Sequence, residues 1–99
     1  MSAGLRIVQR NWRCTEGEID LVARDGDDLV FVEVKTRSSL DYGHPLEAIT
    51  PRKLARLKRL AGAWCLAHPD EHGRVRIDAV AVIAPRSGAI EVEHLAGVF

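Results

Sequence analysis

Two β-branched runs, residues 18–24 and 29–36, flank the four residues Asp25-Gly26-Asp27-Asp28 in this 99-residue chain. Such runs on either side of a glycine-containing turn predict a β-hairpin. If Gly26-Asp27 is the loop, a Gly-X pair suited to a type II′ turn, Asp25 stands opposite Asp28. Counting back along the strands then sets Asp20 opposite Glu33 and Glu18 opposite Lys35. If Asp25-Gly26 is the loop instead, Asp20 and Glu33 become diagonal neighbours on one face. Directly opposed residues have Cβ atoms ~4.5–5.5 Å apart. The hairpin therefore predicts two carboxylates close together among Val, Ile, Leu and Phe. Lys35, two residues beyond Glu33, shares its face.

The rest of the pattern predicts an α/β fold. Residues 5–9 are a short strand candidate, and residues 74–84 and 90–95 read as two more strands. Thr50-Pro51 opens a helix, with Thr as the N-cap and Pro at the first helical position. Leu54, Leu57, Ala61, Trp64 and Cys65 recur at helical spacing and predict a buried stripe. Arg52, Arg56 and Arg59 fall on the opposite face, and Pro69 ends the helix at about His68. Residues 38–48, with Gly43 and Pro45, read as a loop. The order β-β-β-α-β-β, with a parallel crossover through the helix, predicts a mixed β-sheet with a covering helix. The strands read apolar on both faces, whereas a helix over residues 51–68 covers one. The uncovered face predicts a homodimer in which each protomer covers the other's sheet.

The length fits a single domain, 1–99, and the 46% hydrophobic content fits a globular chain. No apolar run approaches the ~18 residues that span a bilayer. The first ten residues lack the apolar segment of a signal peptide, which predicts a cytoplasmic protein without a membrane partner. Cys14 and Cys65 have no CxxC spacing and read as free thiols. Net charge is zero, which argues against a strongly basic nucleic-acid binder, but the charges are unevenly spread. Residues 14–34 hold seven acids and one base, and residues 35–60 hold seven bases and two acids. That distribution suits a cation site beside a polyanion track; it equally suits two solvated faces.

Two carboxylates held side by side repel each other, and burial raises the cost. A divalent cation relieves the repulsion, since Mg²⁺ takes one or two carboxylates together with waters and phosphate oxygens. Lys35 would then stabilise charge on a phosphate or position a water. An ion-pair cluster of Asp20, Lys35 and Glu33 without a metal satisfies the same pattern. Lys53, Arg56 and Arg59 suit either a phosphate track or a solvated helix face, and Arg37 either a phosphate contact or a surface role. His44, His68, His72 and His94 form neither HExxH nor a Cys/His zinc pattern. Trp12 and Trp64 read as core residues, and Asp78, inside an apolar strand, as a satisfied structural carboxylate.

The spacing Asp20…Glu33-Val34-Lys35 resembles the D…ExK core of the PD-(D/E)XK, or restriction-endonuclease-like, nuclease superfamily. Over nearly the whole chain, the strings GEIDL, FVEVKTR and TPRK in this order closely resemble the bacterial YraN-like family, which is similar to archaeal Holliday-junction resolvases. The resemblance implies Mg²⁺ or Mn²⁺ held by Asp20, Glu33 and the Val34 carbonyl, with Lys35 serving the attacking water. It also implies phosphodiester hydrolysis on DNA, with Arg37, Arg52, Lys53, Arg56 and Arg59 as nucleic-acid contacts. The alternative is a non-catalytic nucleic-acid-binding module on the same fold. The family pattern begins with an amphipathic helix bearing a further acid, whereas here no acidic residue precedes Glu16. The expectation is a chain without that helix and with one site acid fewer.

Overall fold

The computed structural model describes residues 4–38 and 50–98. Its elements follow the expected order: β1 (Arg6–Cys14), β2 (Gly17–Asp25), β3 (Asp28–Arg37), α1 (Pro51–Ala67), β4 (Arg74–Ile83) and β5 (Glu91–Leu95). The five strands form one sheet in the order β1-β2-β3-β4-β5. The β3–β4 pair, on either side of α1 in sequence, is parallel, and the other pairs are antiparallel. This is the mixed sheet with a covering helix that was expected, and it is consistent with a restriction-endonuclease-like fold. The loop expected over residues 38–48 lies, apart from Ser38, outside the described residues. Among the described residues no helix is long and apolar enough to cross a membrane.

The hairpin turn fixes the register. Gly26 has φ 59°, and Asn11 is the only non-glycine residue at positive φ among the described residues. A positive φ at the first loop position alone is the type II′ pattern. Asp25 therefore pairs with Asp28, and the ladder continues through Val22↔Phe31 to Leu21↔Val32. Gly73, just before β4, lies against the outside of this turn. A Cβ there would stand 2.2 Å from the Asp27 carbonyl oxygen, so only glycine allows the approach.

Thr50 caps α1 by accepting from the Lys53 N–H at 3.2 Å, and Pro51 takes the first turn, where its missing N–H has no helical partner anyway. The buried face is Leu57, Leu60, Ala61 and Trp64. Leu54 and Cys65, expected in the stripe, are only partly buried, because the i, i+3, i+4, i+7 set starting at Leu57 faces the sheet squarely. This face packs on Ile19, Val22, Leu29, Phe31 and Ile77. Trp64 is fully buried, edge-on to Phe31 and stacked on His68 with ring centroids 4.1 Å apart. Its indole N–H donates to Gln9 Oε1 at 3.0 Å, so the one polar atom of the ring is satisfied.

The opposite face differs from the bare surface expected. Leu5, Ala23, Val30, Val32 and Val80 form a second cluster, each 6% exposed or less within the single chain. Next to it lies an ionic lattice. Arg76 donates to Asp78 through Nε at 2.9 Å and through a terminal nitrogen at 3.1 Å, and its other terminal nitrogen reaches Asp25 at 2.9 Å and Asp28 at 3.4 Å. Arg74 pairs with Asp28 at 3.2 Å. Asp78 is fully buried and also accepts from His94 Nε2 at 2.7 Å and from the Gly97 N–H at 2.9 Å. The structural role read for Asp78 is what the geometry gives it.

Burial alone would raise the Asp78 pKa, but hydrogen bonds from Arg76, Gly97 and His94 outweigh it and hold the carboxyl below the ordinary aspartate value. A pKa depressed by folding contributes stability that is fully present above the unfolded value of about 3.9 and lost as pH falls through the folded value. Asp78→Asn is therefore expected to lower stability at neutral pH by about 3 kcal/mol, since it leaves Arg76 short of a buried partner. It should also flatten the loss of stability below pH ~4. Urea denaturation of both proteins across that range checks both effects.

Candidate functional site

Asp20 reaches its position through a break in strand alternation. Gln9 and Trp12, three apart on β1, both meet α1 or its C-cap: Gln9 bonds Trp64, and Trp12 lies edge-on to His68. Ile19 and Val22, three apart on β2, both belong to the core under α1. Regular strands place residues three apart on opposite faces. The β1–β2 pairing shifts register between Ile7 and Gln9 and keeps one register from Gln9 to Cys14, so the further break in face alternation falls between the pairs Arg10↔Leu21 and Trp12↔Ile19, where Asn11 (φ 52°) and Asp20 lie. Positive φ suits Asn far better than a β-branched residue. β1 therefore continues to Cys14, well past the short strand expected, by absorbing an irregularity that resembled a strand end.

The consequence is that Asp20 does not continue the β2–β3 ladder, which stops at Leu21↔Val32. Its Oδ2 instead accepts from the Val34 N–H at 2.9 Å. The carboxylate thus lies in the seam between the two strands, bound to the backbone of the residue between Glu33 and Lys35. Glu33 and Lys35 alternate with Val32 and Val34, so they share the α1 side of β3 with Leu29 and Phe31. Lys35 Nζ pairs with Glu33 Oε1 at 3.0 Å. Their parallel neighbours on β4 are Ala79 and Ala81, the smallest side chains that keep the strand apolar there. Glu18 does not stand opposite Lys35 as the hairpin count expects. With the ladder broken at Asp20, Glu18 pairs with Arg13 on β1.

A depression of about 350 Å³ opens beside Asp20, lined by Arg10, Asn11, Asp20, Leu21 and Val34. Leu21 packs against the second apolar cluster, so the depression lies on the side of the sheet away from α1. Arg52, Lys53, Arg56 and Arg59 are exposed along α1. Arg59 lines a second depression of about 640 Å³ with Glu16, Gly62, Ala63 and Leu66. Arg37 is exposed at the end of β3, where its carbonyl accepts from the Ala84 N–H at 2.8 Å. The structure thus bonds Asp20 to Val34, between Glu33 and Lys35 in sequence, and leaves the α1 cations exposed on the helix. Sequence reasoning passed over Arg10 and Asn11. The available signal was that residues 5–14 suit a strand only if its alternation is broken.

The donors at the seam suit a hard cation. Among the described residues no three of His, Cys, Asp and Glu gather at metal-binding distance. The protein side of a site here would be the Asp20 and Glu33 carboxylates and the Val34 carbonyl, oxygen donors of the type that Mg²⁺ or Mn²⁺ takes together with water. Each carboxylate has one oxygen engaged, by the Val34 N–H and by Lys35 respectively, and among the described residues no bond is made to the other.

Residues 1–82 match the family described as "Uncharacterised protein family UPF0102". The chain belongs to that family. It is 68% identical to a UPF0102 protein of Beutenbergia cavernae over 96 residues, covering 96% of this chain and 80% of that relative. It is 61% identical to one from Arthrobacter sp., covering 98% of this chain and 82% of that relative, and 59% identical to one from Kineococcus radiotolerans, covering 97% and 80%.

The slip at Asn11 makes a direct prediction. Asn11→Gly is expected to keep stability within a few tenths of a kcal/mol, since glycine adopts positive φ freely. Asn11→Val should cost roughly 1–3 kcal/mol, because a β-branched residue is strained there. Chemical denaturation of the two variants against the parent compares them, and equal stability of all three would remove the role given to the backbone at Asn11.

Proposed function

We propose that this UPF0102 protein is a nuclease-like, nucleic-acid-binding protein that hydrolyses phosphodiester bonds in DNA with the help of Mg²⁺ or Mn²⁺. The observation that carries the reading is the Asp20 carboxylate bound to the amide of Val34, between Glu33 and Lys35. Asp20, Glu33 and the Val34 carbonyl would hold the cation. When bound, it would polarise the phosphate and lower the pKa of a coordinated water. Asp20 and Glu33, on adjacent strands, would balance the cation's charge. Lys35, paired with Glu33, would hold the attacking water or stabilise charge developing on the phosphate. The exposed row Arg52, Lys53, Arg56 and Arg59, with Arg37, would attract the polyanion at longer range and make binding salt-sensitive.

A second reading, a non-catalytic nucleic-acid-binding module on the same fold, is favoured by the small donor set: among the described residues the seam holds two carboxylates and no third. Glu33→Gln separates these readings from a purely structural ion pair. It removes one anionic ligand and leaves a side chain of the same shape, so Mn²⁺ affinity measured by calorimetry should fall at least about tenfold, with the fold kept. Unchanged Mn²⁺ binding would leave Glu33 as an ion-pair partner of Lys35 and no more. Cleavage assays on duplex and branched DNA then divide the enzyme from the binding module: Mn²⁺-dependent products that Glu33→Gln abolishes support the enzyme, and binding without products supports the module.

A further inference from the structure

Lys35, Ala81 and Glu93 stand level with one another on β3, β4 and β5, since Lys35 pairs in register with Ala81 and Ala81 with Glu93. Register partners share a face, and Ala81 follows the core residue Ile77 at even spacing, so all three lie on the α1 side of the sheet. Neighbouring strands are ~4.8 Å apart, which separates the backbones of β3 and β5 by about 10 Å. Along that line the strand between them offers only the methyl group of Ala81, and a lysine and a glutamate leaning toward each other over it span the gap. Lys35 is therefore flanked by two carboxylates: Glu33 on its own strand, in contact at 3.0 Å, and Glu93 two strands away. The surroundings are partly closed to water. Ala79 and Ala81 are buried, and the side chains of Lys35 and Glu33 are 27% and 13% exposed. An ammonium in such a place is costly to leave without a partner.

That cost bears on the use of Glu33 as a ligand. A carboxylate that turns to a divalent cation holds an ammonium less well, because the two positive charges repel. We propose that Glu93 is a positioning residue for Lys35, receiving its ammonium when Glu33 turns to the cation. This rests on the metal-dependent reading above and deepens it by naming the residue that makes Glu33 available. Glu93 is not a ligand in this scheme, and among the described residues no third acid gathers with Asp20 and Glu33 at metal-binding distance. It acts through Lys35. A carboxylate offers about four acceptor sites, so Glu93 takes the ammonium while keeping the interaction it already makes. Ala81 is what permits the exchange: a larger residue at that register position would stand between the two side chains.

The test follows the Lys35 ammonium by proton–nitrogen NMR, first without metal and then through a Mg²⁺ titration, with Lys35→Met assigning the signal. An ammonium held by a carboxylate exchanges its protons with water more slowly than a free one. The parent is compared with Glu33→Gln, Glu93→Gln, Glu93→Asp and the double variant Glu33→Gln/Glu93→Gln, all checked for an unchanged thermal transition. Without metal, Glu33→Gln is expected to keep a slowly exchanging Lys35 signal, and the double variant to lose it. In the parent, Mg²⁺ should move the signal toward its position in Glu33→Gln. By calorimetry, Glu93→Gln should bind Mg²⁺ about fivefold more weakly than the parent, and the effect should vanish when Lys35→Met is combined with it. Glu93→Asp, which keeps the charge on a shorter arm, should fall between. If the parent binds Mg²⁺ but Glu93→Gln binds it equally well, or if Glu33→Gln loses the signal as fully as the double variant, the role given to Glu93 is overturned and the metal site stands. If the loss in Glu93→Gln persists in full with Lys35→Met, Glu93 acts on the cation directly and the exchange of partners is overturned. If the parent binds no Mg²⁺, the metal-dependent reading falls and takes the Glu93 assignment with it.

Discussion

The N–H of Val34 is the group around which the site is arranged. It points to the β2 side of a central strand at a level where the β2–β3 ladder has ended. A backbone donor in that position needs an acceptor. The Asp20 carboxylate supplies one, in a charge-assisted bond stronger than the carbonyl contact it replaces. Because Val34 is bonded covalently to Glu33 and Lys35, an acceptor fixed to its amide is fixed relative to both. The arrangement also reaches back to β1. Asp20 leaves the ladder only where β2 breaks alternation, and β1 follows that break through the positive φ of Asn11. Three strands therefore cooperate in placing one carboxylate, and none of them does so through a side chain that merely fills space.

The two faces of the sheet are closed by different forces. Under α1 the closure is apolar, with Trp64, Leu60 and Phe31 removed from water and the Trp64 indole N–H satisfied by Gln9. On the other face the apolar centre is small, and its border is ionic: Asp25, Asp28, Arg74, Arg76, Asp78 and His94 are linked from the hairpin turn across to β5. A carboxylate as buried as Asp78 is tolerable because each of its oxygens receives two hydrogen bonds. The lattice borders an apolar cluster that is buried within the single chain. Among the described strand residues of that face, Val34 and Val92 remain as exposed large apolar side chains.

The hairpin register was legible because a two-residue turn leaves no freedom in counting: once Gly26-Asp27 is the loop, Asp25↔Asp28 and Leu21↔Val32 follow. The helix start was legible for a similar reason, since Thr50-Pro51 satisfies cap chemistry that few other pairs do. That Asp20 stands beside the Glu33-Val34-Lys35 stretch of β3 followed from the same count. The direct opposition of Asp20 and Glu33 did not, because the count assumes unbroken alternation and the break depends on a backbone dihedral at Asn11, nine residues away in sequence. Leu60 was missed in the buried stripe because a helix with several leucines leaves the centre of its apolar arc undetermined until the sheet beneath is known. The ionic lattice on the second face was missed because it consists of pairs such as Arg76–Asp25 and His94–Asp78, which are distant in sequence and carry no periodic signal.

Side-chain size on β4 completes the account of why the seam is open to chemistry. Phe31 and Ile77 are register partners and fill the α1 side of the sheet with bulk. One step along, Glu33 is beside Ala79, and at the next Lys35 is beside Ala81. The change from isoleucine to alanine occurs where β3 changes from apolar to charged. Had β4 kept large residues there, the two long polar side chains would have been forced away from the sheet, and the ion pair between them would have been held by solvent-exposed rotamers of little energetic worth. Small neighbours let Glu33 and Lys35 lie along the strand surface, with Glu33 only 13% exposed, and keep the pair near the backbone of Val34. The apolar core and the charged seam are thus consecutive stretches of the same two strands, divided by the point at which the β4 side chains shorten.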